Sequence, residues 1–162
     1  MMSTVALFYP FVIGVDTRAR THTYAVLAAN GAQLGTEAFR NTHAGRTRAI
    51  AWVSRCTEGE LETLWAIEGT DSYGALLAGT VARAGYRVVE APRVKACASV
   101  LRGVGTSDPL DAAAIAASVL VLEQSQLRNP RHDDGVRAAL RGLVSAREQM
   151  TIERIAKVNA LL

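Results

Sequence analysis

Cysteine and histidine are too sparse here to build the commoner metal and redox sites. The two cysteines, Cys56 and Cys97, stand far apart, and none of His22, His43 and His132 lies at ligand spacing from another His or Cys. A zinc site of ordinary pattern is excluded, and unpaired cysteines without a secretory signal fit a reduced, cytoplasmic protein. Long apolar runs are also missing. The stretch from Val5 to Val15 contains Pro10, runs into Asp16, and is too short for a membrane span, so no membrane partner is expected. It also lacks the basic start of a signal peptide. Aromatics are few, at 6%, but 49% hydrophobic and 20% charged residues give the balance of a soluble globular chain. No internal repeat or low-complexity tract interrupts it. What remains is one domain's worth of chain, 162 residues, with a net charge of +3 that permits a nucleic-acid partner without demanding one.

The order of elements predicts an α/β fold. Phe11 to Asp16 is an apolar run ending at a carboxylate, as a buried strand would be. Thr21–Ala29 and Gln33–Asn41 read as two further strands joined at Asn30-Gly31, a signal for a two-residue hairpin turn. A helix is expected over His43–Cys56, and Thr63–Glu68 repeats the first strand's logic, apolar and closed by an acid. A helix from about Gly74 to Ala84 ends before Gly85, and a fifth strand from Arg87 is stopped by Pro92. Val94–Leu101 reads as a helix, and residues 102–105 as a flexible basic link. Ser107 or Asp108 followed by Pro109 marks a helix start, and the Ala-rich run continues it to about Glu123. Together these describe a mixed sheet flanked by helices, over residues 1–124. A polar linker is expected at 125–135. Residues 136–162 read as the start of a long C-terminal helix, coiled-coil-like, with Leu140, Val144, Ile152, Ile155 and Leu162 near helical spacing.

The chemistry rests on acids at element ends. Asp16 and Glu68 close two apolar strands, and ligands of open α/β sheets bind at that carboxyl edge. Asp108 and Asp111, three apart, share one face of a helical first turn, where capping is the simpler role. If the two strands are parallel neighbours, four carboxylates converge and repel each other unless a divalent metal neutralises them. Asp71, close to Glu68, could assist that acid from behind, but reads rather as a cap for the helix that follows. Arginines at 102, 128, 131, 137, 141, 147 and 154 could track phosphates or simply be solvated.

Asp16 in Gly14-Val15-Asp16, Glu68 in Ala66-Ile67-Glu68-Gly69-Thr70 and the pair in Thr106-Ser107-Asp108-Pro109-Leu110-Asp111-Ala112 resemble the DEDD transposases of the insertion-sequence one-ten family. The resemblance covers nearly the whole chain, and the last motif is its most specific part. It implies a RuvC-like, ribonuclease-H-like fold in which Asp16, Glu68, Asp108 and Asp111 are catalytic and hold Mg2+ or Mn2+. It also implies a bacterial, cytoplasmic enzyme that cleaves and exchanges DNA strands, guided by a structured noncoding RNA. Arg102, Arg128, Arg131, Arg137, Arg141, Arg147 and Arg154 would then contact nucleic acid, and the helical region would carry a homo-oligomer contact. Thr106 departs from the basic residue usual in the family, and Pro109 is less usual there. Members of the family continue to a second domain bearing a nucleophilic serine. This sequence is therefore expected to be the amino-terminal, truncated portion. Two other readings remain: a nucleic-acid-binding or dimerisation module without catalysis, and an actin-like ATPase fragment. Thr17-Arg18-Ala19-Arg20, bulky and basic after Asp16, speaks against the phosphate loop an ATPase needs.

Overall fold

The computed structural model describes residues 3–92 and 108–131, and Leu140, Leu143, Val144, Arg147, Met150, Thr151 and Arg154 beyond them; the side chain of Asp108 lies outside the described set. Two compact units result, Met1–Arg131 and His132–Leu162.

In the first unit a single sheet is formed by β1 (Phe11–Thr17), β2 (Thr21–Ala28), β3 (Gln33–Arg40), β4 (Thr63–Ile67) and β5 (Arg87–Glu90), in the order β3-β2-β1-β4-β5. β1, β2 and β3 form an antiparallel meander, whereas β4 lies parallel to β1 and β5 parallel to β4. Helices α1 (His43–Cys56) and α2 (Ala75–Arg83) serve the two parallel crossovers, and α3 (Asp108–Leu120) follows the last strand. This is the mixed sheet flanked by helices that the order of elements predicts, in the ribonuclease-H-like arrangement that the resemblance implies.

Strands covered on both faces need apolar residues at every position, and β4 (Thr-Leu-Trp-Ala-Ile) is buried from end to end. On one face Val12, Leu27, Leu64, Ala66 and Val89 pack with Ala112, Ile115, Ala116 and Val119 of α3. On the other, Ile13, Tyr24, Val26, Trp65 and Ile67 pack with Val53 of α1 and Leu77 and Val81 of α2. Tyr24 sits edge-on to both Phe39 and Trp65, and Trp65 meets Tyr86, so these four aromatics are gathered into this second layer. β3, at the free edge, is the polar strand of the sheet. α1 is capped by Thr42, whose hydroxyl accepts from the Gly45 N–H at 3.1 Å.

Three expectations need correction. The β2–β3 connection is not a two-residue turn. Only Gly31 takes positive φ (+83°), the Gly31 N–H bonds to the Ala28 carbonyl, and the Ala28 N–H bonds to the Ala32 carbonyl. A three-residue loop results, in which the Asn30 side chain accepts from the Ala32 N–H at 2.9 Å instead of reversing its own backbone. α3 ends at Leu120, short of Glu123, because Glu123 caps a short 3-10 turn, Gln124–Gln126, through a reciprocal capping box. Asp71 does not cap α2: the N-cap is Gly74, which has no side-chain cap bond, and Asp71 pairs with Arg131 at 3.5 Å.

The stretch expected as linker from residue 125 is, as far as Arg131, laid against the sheet. The Glu90 N–H bonds to the Arg128 carbonyl (2.9 Å), and the Arg87 guanidinium donates to the Asn129 side chain (2.8 Å). Residues 93–107 and 132–139 are outside the described set, so the helix expected at Val94–Leu101 and the link at 102–105 fall there. In the second unit the seven described residues are helical and exposed, and the Thr151 hydroxyl donates to the Arg147 carbonyl. Ile152, Ile155 and Leu162 lie outside the described residues.

Candidate active site at the carboxyl edge of the sheet

The register of the parallel pair decides where the first two acids go. Gly14 is opposite Ala66 and Val15 opposite Ile67, and the pairing continues one step further as the Glu68 N–H bonds to the Val15 carbonyl at 3.1 Å. Side chains alternate along a strand, so Asp16 and Glu68 share the face of Gly14 and Ala66, which is the face that α3 covers. Gly14 makes the close approach of α3 possible. A Cβ there would lie 2.0 Å from the Ala112 carbonyl oxygen and 2.6 Å from the Ala116 nitrogen. Asp111 precedes Ala112 in the first turns of that helix, and is thereby brought to the same end of β1.

Asp16 is buried, and its carboxylate accepts from the Arg18 guanidinium at 3.3 Å. Glu68 is exposed as a whole residue, yet its carboxyl is held above its ordinary pKa. Loss of water around the carboxyl is the largest cause, followed by the charge of Asp16, a hydrogen bond with Asp16, and the charges of Glu90 and Asp111. Three of the four sequence-identified acids, Asp16, Glu68 and Asp111, thus influence one another. Asp108 opens α3, and its side chain is outside the described residues.

The edge opens into a cleft of about 780 Å³ walled by Asp16, Glu68, Glu90, Tyr73, Arg128 and Arg131, among others. Arg128 and Arg131 are both exposed there, and Arg131 pairs with Asp71. Arg147 and Arg154 are exposed on the helix of the second unit, and Arg102, Arg137 and Arg141 fall outside the described residues.

The pattern of acids, the sheet order and the family comparison converge. A family described as transposase, of the DEDD IS110 kind, matches residues 13–162. The chain belongs to the DEDD transposases of the IS110 family. Among curated proteins none matches it. Family membership makes the unit a transposase domain, a nucleic-acid-processing enzyme by class.

The fit of a divalent metal to this transposase domain can be judged from its donors. Carboxylate oxygens are the ligands a hard cation prefers, and the negative charges of Asp16, Glu90 and Asp111 that hold the Glu68 carboxyl above its ordinary pKa are charges a cation would offset. Among the described residues, no three His, Cys, Asp or Glu side chains are grouped closely enough to enclose an ion. The donor chemistry fits; the closed ligand set is not assembled from those residues in this conformation.

Two participants escaped the reading of the sequence. Glu90 ends β5 as Asp16 and Glu68 end their strands, and the same signal, an apolar run closed by an acid, marked it. Thr70 carries no such mark; only its hydrogen bonds to Glu90 reveal it. Among the described residues, no histidine lines the cleft. His22, the one described in the core, accepts from the Arg18 N–H, and burial holds its pKa below the ordinary value.

Proposed function

We propose that this chain is the metal-dependent catalytic part of a DNA transposase, with Asp16, Glu68, Asp108 and Asp111 as the residues that hold Mg2+ or Mn2+. The observation that carries the proposal is the shared register of Asp16 and Glu68 on the α3 face of two adjacent parallel strands. Divalent cations, when bound, supply activation of an oxygen nucleophile and stabilisation of the leaving oxygen in phosphodiester exchange. The protein's own part is to keep the acids at one edge. Asp16 is fixed by burial in β1, Glu68 by the bond of its N–H to Val15, and Asp111 by the seating of α3 on Gly14. Arg128 and Arg131, with Arg102, Arg137, Arg141, Arg147 and Arg154, serve as contacts to the phosphates of DNA and of a structured guide RNA. The nucleophile in this reading is a serine on a further domain, association between copies runs through the helical region, and the setting is the bacterial cytoplasm.

The test is a strand-joining assay with Mg2+, donor DNA, target DNA and guide RNA, with the serine-bearing domain supplied. Joining by the wild type, reduced about a thousandfold by Asp16→Asn, is expected. Joining that Asp16→Asn leaves unchanged would refute the assignment. Nucleic-acid binding with no joining under any of these conditions would favour the non-catalytic module.

A further inference from the structure

We propose that Glu90 is a positioning residue for Glu68, acting through Thr70. The inference rests on the reading of Glu68 as a metal ligand. Glu68 stands at the start of a tight turn rather than inside β4, so its side chain is aimed by whatever fixes that turn. Gly69 takes φ +60°, and its carbonyl accepts from the Ser72 and Gly74 N–H groups at 2.9 Å each, which closes the turn on itself. A turn closed this way moves as a block about the strand end unless it is tied on both sides.

Both ties are present. On the β1 side, the Glu68 N–H bonds to the Val15 carbonyl, and the Thr17 hydroxyl donates to the Glu68 carbonyl at 2.8 Å. On the β5 side, the Glu90 carboxylate accepts from the Thr70 N–H at 3.1 Å and from the Thr70 hydroxyl. Two donors of one residue meeting one carboxylate oxygen fix the backbone and the side chain of Thr70 together. Thr70 is 3% exposed, so an unpaired hydroxyl there would have no water to turn to. Its oxygen in turn accepts from the Arg131 N–H at 3.1 Å, which brings the last residue of the first unit onto the same turn. Glu90 is therefore spent on orienting the backbone that presents Glu68. Partners hydrogen-bonded directly to a metal ligand commonly change metal affinity 10–100-fold when removed, and a tie that reaches Glu68 through the turn backbone belongs at the lower end of that range.

The experiment measures Mn2+ binding by the whole chain from the electron paramagnetic resonance signal of free Mn2+. Wild type, Thr70→Val, Glu90→Ala, the double variant, Thr70→Ser and Glu68→Gln are compared, with melting in chelator as the check of folding. Thr70→Val keeps the shape and every charge, so it isolates the hydroxyl. About tenfold weaker Mn2+ binding is expected for Thr70→Val and for Glu90→Ala, with no further loss in the double variant, because the two act as one unit. Thr70→Ser, which restores the donor, should bind within about twofold of wild type. Unchanged affinity in either single variant that folds, or losses that add in the double variant, would overturn the proposal. Glu68→Gln separates the two levels. If it weakens binding while Thr70→Val does not, only the positioning role fails; if it binds as wild type does, the metal site fails and this inference with it.

Discussion

Gly14→Ala is the smallest change that should disable both fold and site. The added methyl would stand 2.0 Å from the Ala112 carbonyl oxygen and 2.6 Å from the Ala116 nitrogen, both backbone atoms of α3. Side chains can step aside at little cost, but a helix backbone moves only as a body. Reaching ordinary contact near 3.4 Å requires α3 to withdraw by about 1.4 Å. That withdrawal loosens Ala112, Ile115, Ala116 and Val119 from the sheet together. Overpacking of cores costs about 1–3 kcal/mol, and a clash with two backbone atoms of one helix belongs at the upper end, roughly 3 kcal/mol. For a unit of this size the melting temperature should fall by roughly 10 °C. Urea unfolding followed by the fluorescence of the buried Trp65 would measure the loss. Because Asp111 rides on α3, metal affinity should drop as well, since displacements of about 1 Å at a site are costly. A variant within about 1 kcal/mol of wild type would refute the claim that α3 is seated on β1 at Gly14.

Other expectations follow from single groups. Thr42→Ala removes the hydroxyl that accepts from the Gly45 N–H and should cost about 1 kcal/mol in urea unfolding, whereas Thr42→Ser should cost far less. The raised pKa of Glu68 means that its protonated form suits the metal-free fold; its contribution is complete below the ordinary carboxyl value and is lost as pH rises through the folded one. Glu68→Gln should therefore be more stable than wild type at pH 7 without metal, and the gap should close toward pH 4 in paired denaturation curves. Replacing both Arg128 and Arg131 by Gln should flatten the salt dependence of duplex DNA binding by about 1.8 in the log–log slope, read by fluorescence anisotropy.

The sheet was legible because its signals are local. Strands buried on both faces must be continuously apolar, and Val12-Ile13 and Leu64-Trp65-Ala66-Ile67 are; the acids that end them could then be placed by topology alone. Asn30-Gly31 marked the hairpin but not its length, since Asn30 satisfies the loop through its side chain and leaves the positive φ to Gly31. Residues 127–131 looked like linker because their attachment to the sheet is mostly made by backbone groups, the Arg128 carbonyl and the Arg131 N–H, which any polar sequence possesses. Composition cannot encode such contacts. Glu90 was overlooked for a different reason: it carried the signal used for Asp16 and Glu68, but its partner Thr70 lies 20 residues away in sequence.

If the acids at the carboxyl edge form one cation-binding site, thermal melting of the chain will register it. Wild type and Asp16→Asn are melted in chelator and in millimolar Mg2+. A cation that binds only the folded state at ten times its dissociation constant adds about 1.4 kcal/mol, a rise of several degrees in the wild type. That rise is expected in the wild type and its loss in Asp16→Asn; equal rises in both proteins would show that the ions act elsewhere.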